Sequence, residues 1–226
     1  MGLNVSKGNM YDFVTHTWNT IKGECPHGCS YCYMHRWGKQ KPVRFDKGEL
    51  KTDLGEGNFI FVGSSCDMFA GAIPVSWIRQ TLARCMDFDN RYLFQSKRPC
   101  GMVGEDLPPR SSICTTIETN RVYKSIMNNA YEPEDRATPF EWARKTKPTI
   151  PRYVTIEPIM DFDLTPMVEL IKRCEPVQVN IGADSGNNGL PEPRADKVLA
   201  LIYELQKFTT IARKSNLGRL LKNKVD

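Results

Sequence analysis

Short β-branched and aromatic runs alternate with helical patterns along this chain, which restricts it to a sheet of parallel strands joined by helical crossovers. The runs fall at 14–19, 59–63, 92–97, 112–117, 152–157 and 177–181. Between them, Ile73-Pro74 opens a helical stretch to Met86, Thr138-Pro139-Phe140-Glu141 reads as a capping box, and Thr165-Pro166 opens a stretch to Cys174. A last apolar-periodic segment covers 195–208, while 128–134 and 148–151 read as loops.

Successive strand residues face opposite sides, so each run can be split into two faces. Ile113 and Ile117 oppose Cys114, Thr116 and Glu118; Val154 and Ile156 oppose Tyr153, Thr155 and Glu157; Val177, Val179 and Ile181 oppose Gln178 and Asn180. Gln95 and Lys97 share a face near the end of their run. A sheet covered by helices on both sides reads apolar on both faces. Here one face turns polar toward the carboxyl ends, which favours a partial (β/α)6 barrel whose interior opens into a polar site at that rim.

With 226 residues, 40% hydrophobic and 25% charged, the chain has the makeup of one globular domain. The net charge of +5 is gathered in two places: 36–51 holds six Lys or Arg against two acids, and 207–224 holds six and none. Such patches suit an anionic partner, commonly phosphate, or serve as plain solvated surface. The expected division is a barrel over 1–206 and a basic C-terminal tail over 207–226. No apolar run reaches the ~18 residues of a membrane span and no signal-peptide pattern opens the chain, so the expectation is a cytoplasmic protein without a membrane partner.

Three of the eight cysteines lie within Cys25-Pro26-His27-Gly28-Cys29-Ser30-Tyr31-Cys32, while Cys66, Cys85, Cys100, Cys114 and Cys174 stand singly. In a reducing compartment such a cluster reads as a metal site rather than a disulfide framework. Three thiolates in a tight loop can hold three irons of a cubane and leave the fourth open to a small molecule. The alternative is zinc on Cys25, Cys29 and Cys32 with His27 or His35 as fourth ligand, although zinc sites usually bring a second close ligand pair.

The spacing of three residues then two, with an aromatic before the last cysteine, resembles the motif of the radical S-adenosylmethionine (SAM) superfamily. That resemblance implies a [4Fe–4S] cluster on Cys25, Cys29 and Cys32, SAM bound to its open iron, and a 5′-deoxyadenosyl radical that abstracts hydrogen from substrate. It also implies a full or partial barrel and places Tyr31 near the adenine. Gly63-Ser64-Ser65-Cys66-Asp67 stands where the superfamily receives the SAM amino group, though it departs from the usual Gly-Gly-Glu form; Ser64, Ser65 and Asp67 are the candidates, with a polar helix-capping turn as the alternative. Thr116, Glu118 and Asn120 stand where a ribose is bound, and Asn180 and Gly182 where backbone approaches adenine. Glu157 is a candidate ligand-binding or proton-accepting group, or else the partner of Lys97 or Arg98 in a salt bridge. Cys66 could donate hydrogen to a substrate radical, or could simply pack, as Cys85, Cys100, Cys114 and Cys174 are expected to. Lys97 completes the catalytic candidates, and Trp18 and Trp37 flank the motif as core or substrate-facing rings.

Trp18-Asn19, Tyr33, Lys97-Arg98-Pro99, Thr155-Ile156-Glu157-Pro158 and Gly182-Ala183-Asp184-Ser185-Gly186 together resemble a compact radical SAM family of bacteriophages that is often likened to spore photoproduct lyase. The resemblance runs to about Gly189. It implies a nucleotide or DNA substrate, an isomerase-type rearrangement of an amino-acid-decorated thymidine in phage DNA, a one-electron donor such as flavodoxin, and a monomer in the host cytoplasm. The alternatives are a DNA-repair lyase of the spore photoproduct type and a non-enzymatic nucleic-acid-binding protein with zinc or an idle Fe–S cluster.

Overall fold

The computed structural model describes residues 3–7 and 10–222. The strands are β1 (Asn4–Val5), β2 (His16–Trp18), β3 (Ile21–Lys22), β4 (Arg44–Phe45), β5 (Phe59–Val62), β6 (Arg91–Gln95), β7 (Ser111–Thr116), β8 (Arg152–Ile156), β9 (Gln178–Ile181) and β10 (Thr210–Arg213). The helices are α1 (Val75–Met86), α2 (Pro99–Val103), α3 (Lys124–Met127), α4 (Pro133–Thr146), α5 (Leu164–Cys174), α6 (Ala195–Leu205) and α7 (Gly218–Lys222). One sheet runs β1-β2-β5-β6-β7-β8-β9-β10, parallel except where β1 lies antiparallel on β2; β3 and β4 form a separate antiparallel pair.

This order decides the architecture. From β2 onward each strand pairs with the one that follows it in the sheet, with no reversal of direction. Crossovers of constant hand then put their helices on one face, which is how a barrel is wound. The sheet stays an open arc between β1 and β10.

The helix-side face carries Ile113, Val154, Ile156, Val179 and Ile181, buried with Leu82, Phe140, Leu170, Ile171, Leu201 and Ile202 from α1, α4, α5 and α6. The inner face is apolar only at the amino ends and middle of the strands, where the segment before β2 folds under the sheet. Tyr11 and Val14 pack with Phe59, Phe61, Leu93 and Cys114, and the Phe13 ring lies 5.0 Å from Phe59 and 4.9 Å from Tyr153. This plug closes the amino end, each buried ring contributing roughly 1.5–3 kcal/mol. Above it the inner face becomes polar: Tyr11 Oη donates to Gln95 Oε1 at 2.7 Å and Gln95 Nε2 donates to Thr116 Oγ1 at 3.0 Å.

Two expectations are corrected. The Thr138-to-Glu141 capping box lies inside α4, which starts at Pro133, the first-turn position where a missing N–H costs nothing; Thr138 Oγ1 donates to the Glu134 carbonyl instead. The segment from 207 to 222 is not a tail. It adds the parallel strand β10 beside β9 and buries Leu217 and Leu220 in the core, so the arc has seven parallel strands rather than six; residues 223–226 lie outside the described ones. No helix among the described residues is long and apolar enough to cross a membrane.

Candidate active site at the carboxyl rim

The cysteine loop follows β3 and turns on Gly28, whose φ of +62° an L side chain resists. Gly28 N–H donates to the Cys25 carbonyl and Cys32 N–H to the Cys29 carbonyl, both at 3.1 Å, while Ser30 N–H and the His27 carbonyl bond to the α3 region at Ile126 and Asn129. His27 Nε2 meets Asp67 Oδ2 at 2.7 Å. The same carboxylate accepts from Ser96 Oγ at 2.9 Å, Lys97 N–H at 2.8 Å and Phe69 N–H at 3.0 Å. Asp67 thus pins the loop to the ends of β5 and β6. Burial alone would push its pKa up, but the hydrogen bond and charge of His27 hold it below the usual range; the His27 ring is raised in turn, Asp67 outweighing its burial.

The donor set suits a cluster. Interaction with the neighbouring Cys66 thiol holds the Cys25 thiol below its ordinary range, whereas burial raises Cys32. Lys97 Nζ lies 3.4 Å from Cys29 Sγ. Zinc fits poorly: His27 has given Nε2 to Asp67, His35 is exposed, and among the described residues no three His, Cys, Asp or Glu side chains surround a single-ion position. Thiolates of a cubane are instead distributed over separate irons.

Behind the loop lies a buried ionic network. Lys97 Nζ is 2.9 Å from Glu118 Oε1, Arg136 Nη1 is 2.5 Å from Glu118 Oε2, and the Tyr31 hydroxyl bonds both Glu118 and Lys97. Glu118 and Arg136 are each 0% exposed. Burial would raise the Glu118 carboxyl, yet Arg136 and Lys97 hold it well below its ordinary range; burial and the Glu118 charge push the Tyr31 phenol up, so it stays neutral. Two cations therefore face one carboxylate, and the second positive charge, on Lys97, stands 3.4 Å from Cys29 Sγ, where a thiolate would balance it. Among the described residues Arg136 Nη2 has no partner, and neither does Asn180 Nδ2 on β9, 3% exposed. Buried donors are rarely left unpaired unless something else binds them.

The far side of the rim is organised by Glu157. Lys214 Nζ donates to its Oε2 at 2.6 Å and Asn216 Nδ2 to its Oε1 at 3.1 Å. The partner is thus Lys214, from the basic C-terminal stretch, and not Lys97 or Arg98. Gly182 makes room for this carboxylate: a Cβ there would meet Glu157 Oε1 at 2.7 Å, so its missing side chain serves Glu157 and leaves the adenine role unsupported.

Other candidates separate. Thr116 and Glu118 join the inner wall, but Asn120 bonds Asp163 at the start of α5, Nδ2 at 3.3 Å and Oδ1 receiving the Asp163 N–H at 2.8 Å. Ser64 and Ser65 are both held by Asn19 Oδ1, at 3.3 Å from Ser64 Oγ and 2.9 Å from Ser65 N. Cys66 is buried beside Cys25. Cys85, Cys114 and Cys174 are buried packing residues, but Cys100 is exposed. Trp18 is core; Trp37 is 61% exposed. Arg136, Lys214 and Asn216 escape a reading of the sequence, since each meets its partner only through tertiary folding; the one local hint was the density of cations after 207.

No protein-family model and no curated protein matches this chain. Solved structures do. A cysteine-to-serine mutant of spore photoproduct lyase matches at TM-score 0.63 and 10% identity over 93% of this chain and 79% of that one. A tyrosine-to-phenylalanine mutant of the same protein matches at TM-score 0.58 and 10% identity, over 94% and 80% of the two chains. A double mutant with bound AdoMet and dinucleoside spore photoproduct matches at TM-score 0.54 and 11% identity, over 92% and 66%. At such identities the likeness is one of fold: a mixed α/β chain with a mostly parallel central sheet, as in those structures.

Proposed function

We infer that this chain is a radical SAM enzyme acting on a nucleic-acid base. The observation that carries the reading is the three-thiol loop set against the Lys97–Glu118–Arg136 network at the carboxyl rim of a singly wound parallel arc. Cys25, Cys29 and Cys32 would hold the cluster. When bound there, a [4Fe–4S] cluster and SAM supply reductive cleavage to a 5′-deoxyadenosyl radical able to take hydrogen from substrate.

The chain's own residues do the rest. Lys97 would stabilise the Cys29 thiolate, and the unengaged Nη2 of Arg136 would be the donor left to orient a carboxylate such as that of the SAM methionyl group. Asn180 would donate its free amide N–H to a ligand hydroxyl or ring nitrogen. The His27–Asp67 pair would keep the loop in place, and the Tyr11–Phe13 plug would shut water out from below, as radical chemistry requires.

For the finer activity we favour rearrangement of an amino-acid-decorated thymidine in phage DNA, on the wider sequence resemblance. A repair lyase is the second reading, favoured by the neighbour whose structure holds AdoMet and a dinucleoside photoproduct. Mass spectrometry of nucleosides digested from treated DNA, with the reaction run in deuterated solvent, tests both. An isomeric nucleoside of unchanged mass supports rearrangement, and thymidine regenerated from photoproduct supports repair. Unchanged nucleosides from decorated, irradiated and plain DNA alike would remove the nucleic-acid assignment.

A further inference from the structure

Just outside the site, the segment that leaves the cysteine loop folds over the β3–β4 pair and forms a groove of about 420 Å³. At its inner end stand Asn19 and Ser65; along it lie Trp37, Lys39, Lys41 and Arg44. Asn19 and Ser65 are the residues that brace the loop after β5, so the groove starts at the rim of the chamber and leads outward.

Its lining carries Lys22, Lys39, Lys41 and Arg44 against one acid, Glu49. Lys22 is engaged by Asp46 at 2.9 Å and Glu49 at 2.7 Å, and these are the two acids of the 36–51 stretch. Lys39, Lys41 and Arg44 are exposed and have no carboxylate within salt-bridge distance among the described residues. Three unpaired cations along one groove form an electrostatic track for a chain of phosphates.

The aromatic component is as specific. Trp37 is 61% exposed and Tyr33 42%, their rings in an edge-to-face pair with centroids 5.7 Å apart. The Arg36 guanidinium sits 5.3 Å from the Trp37 ring and 5.9 Å from that of Tyr33. Tyr33 is fixed by its hydroxyl, which donates to the Ser64 carbonyl at 2.7 Å. Two exposed rings and a stacked guanidinium next to a basic track make a stacking platform of the kind that holds unpaired bases. Bases within a duplex are already stacked on one another and cannot reach such a platform.

We propose that this groove binds single-stranded DNA, with a base stacked on Trp37 and the backbone following Lys39, Lys41 and Arg44, and feeds the neighbouring nucleotide into the chamber. The proposal rests on the nucleic-acid reading given above and adds to it the surface and the strand state. An enzyme acting on a base must take it out of the stack or meet it single-stranded, and the groove serves the second route.

The test is fluorescence anisotropy of a labelled oligo-dT 12-mer titrated with the full-length, cluster-loaded protein between 50 and 200 mM salt, beside a duplex of equal length. Trp37→Ala should weaken single-strand binding about tenfold with the salt slope unchanged, and Trp37→Phe should restore most of it. The triple change Lys39→Ala, Lys41→Ala, Arg44→Ala should lower the salt slope by about 2, near 0.7 for each phosphate no longer neutralised. Duplex should bind more weakly than single strand. The proposal is overturned if Trp37→Ala binds like wild type, if Trp37→Phe loses as much as Trp37→Ala, or if duplex binds as tightly as single strand. Wild type that binds the oligonucleotide in this pattern but forms no 5′-deoxyadenosine from SAM sinks the radical reading and leaves the groove standing. Wild type that forms 5′-deoxyadenosine while both sets of variants bind unchanged sinks the groove alone.

Discussion

The inner rim and the outer groove both concentrate positive charge, and they treat it in opposite ways. Inside, Arg136 is buried and Lys97 half-buried against Glu118 and Tyr31, each held by hydrogen bonds of fixed direction. Outside, Lys39, Lys41 and Arg44 stand in solvent without a carboxylate partner among the described residues. A buried charge that loses its partner is costly, so the inner set is committed to the fold and leaves only the unengaged Nη2 of Arg136 for a ligand. The outer set is exposed and is free to exchange counterions for phosphates. Chemistry is thus placed where the geometry is rigid, and capture where the charge is unspent.

The largest effect that could break this contrast comes from Glu118→Gln. It leaves buried Arg136 and half-buried Lys97 facing a neutral amide and should cost about 3–5 kcal/mol in denaturant unfolding of the cluster-free protein. A loss below about 1 kcal/mol would mean that the network is hydrated and the contrast false. The pH dependence follows from the same residue. The Glu118 carboxyl is held below its ordinary 4.5, so its contribution is complete above that pH and disappears as pH falls through the folded-state value. Wild type should therefore lose stability steeply in acid below 4.5, and Glu118→Gln should lack that limb.

Asp67→Ala ranks next. It strands the donors of Ser96, Lys97 and Phe69 and releases His27, and should cost about 2–3 kcal/mol with faster proteolysis within the cysteine loop. Loop cleavage at the wild-type rate would show that Asp67 does not pin it. Gly182→Ala pushes a methyl against the Glu157 carboxylate and should cost about 1–3 kcal/mol, readable as a lowered melting midpoint. The smallest effect belongs to the groove: Lys39→Ala, Lys41→Ala and Arg44→Ala together should change stability by about 0.5 kcal/mol or less while changing DNA binding. A large destabilisation there would make the outer cations part of the fold and erase the difference.

The sequence made the sheet legible because each strand run had to satisfy two faces at once. All six anticipated runs are parallel strands, within a residue or two at most ends. The polar inner face was legible for the same reason: across it Gln95 bonds Thr116 and Lys97 pairs with Glu118. What stayed hidden depends on pairings distant in sequence. His27 and Asp67 are 40 residues apart, Glu157 and Lys214 57 apart, and neither partner carries a local mark of the other. α4 was started too late because Thr138 and Glu141 imitate a capping box, whereas Pro133 had already opened the helix and placed Arg136 in the core. The C-terminal cations read as a solvated tail because charge outweighs four short apolar residues in composition; Ile211, Leu217, Leu220 and Leu221 nevertheless pack against the core.

The central claim is that the three thiols of one loop hold a cluster that activates SAM. The direct measurement is iron content and 5′-deoxyadenosine release after anaerobic reconstitution, dithionite reduction and addition of SAM, in wild type and in the Cys25→Ser, Cys29→Ser, Cys32→Ser triple variant. The account predicts about four irons per wild-type chain with 5′-deoxyadenosine formed, and neither in the variant. Stoichiometric zinc without 5′-deoxyadenosine in the wild type, or equal iron and equal product in the triple variant, would contradict it.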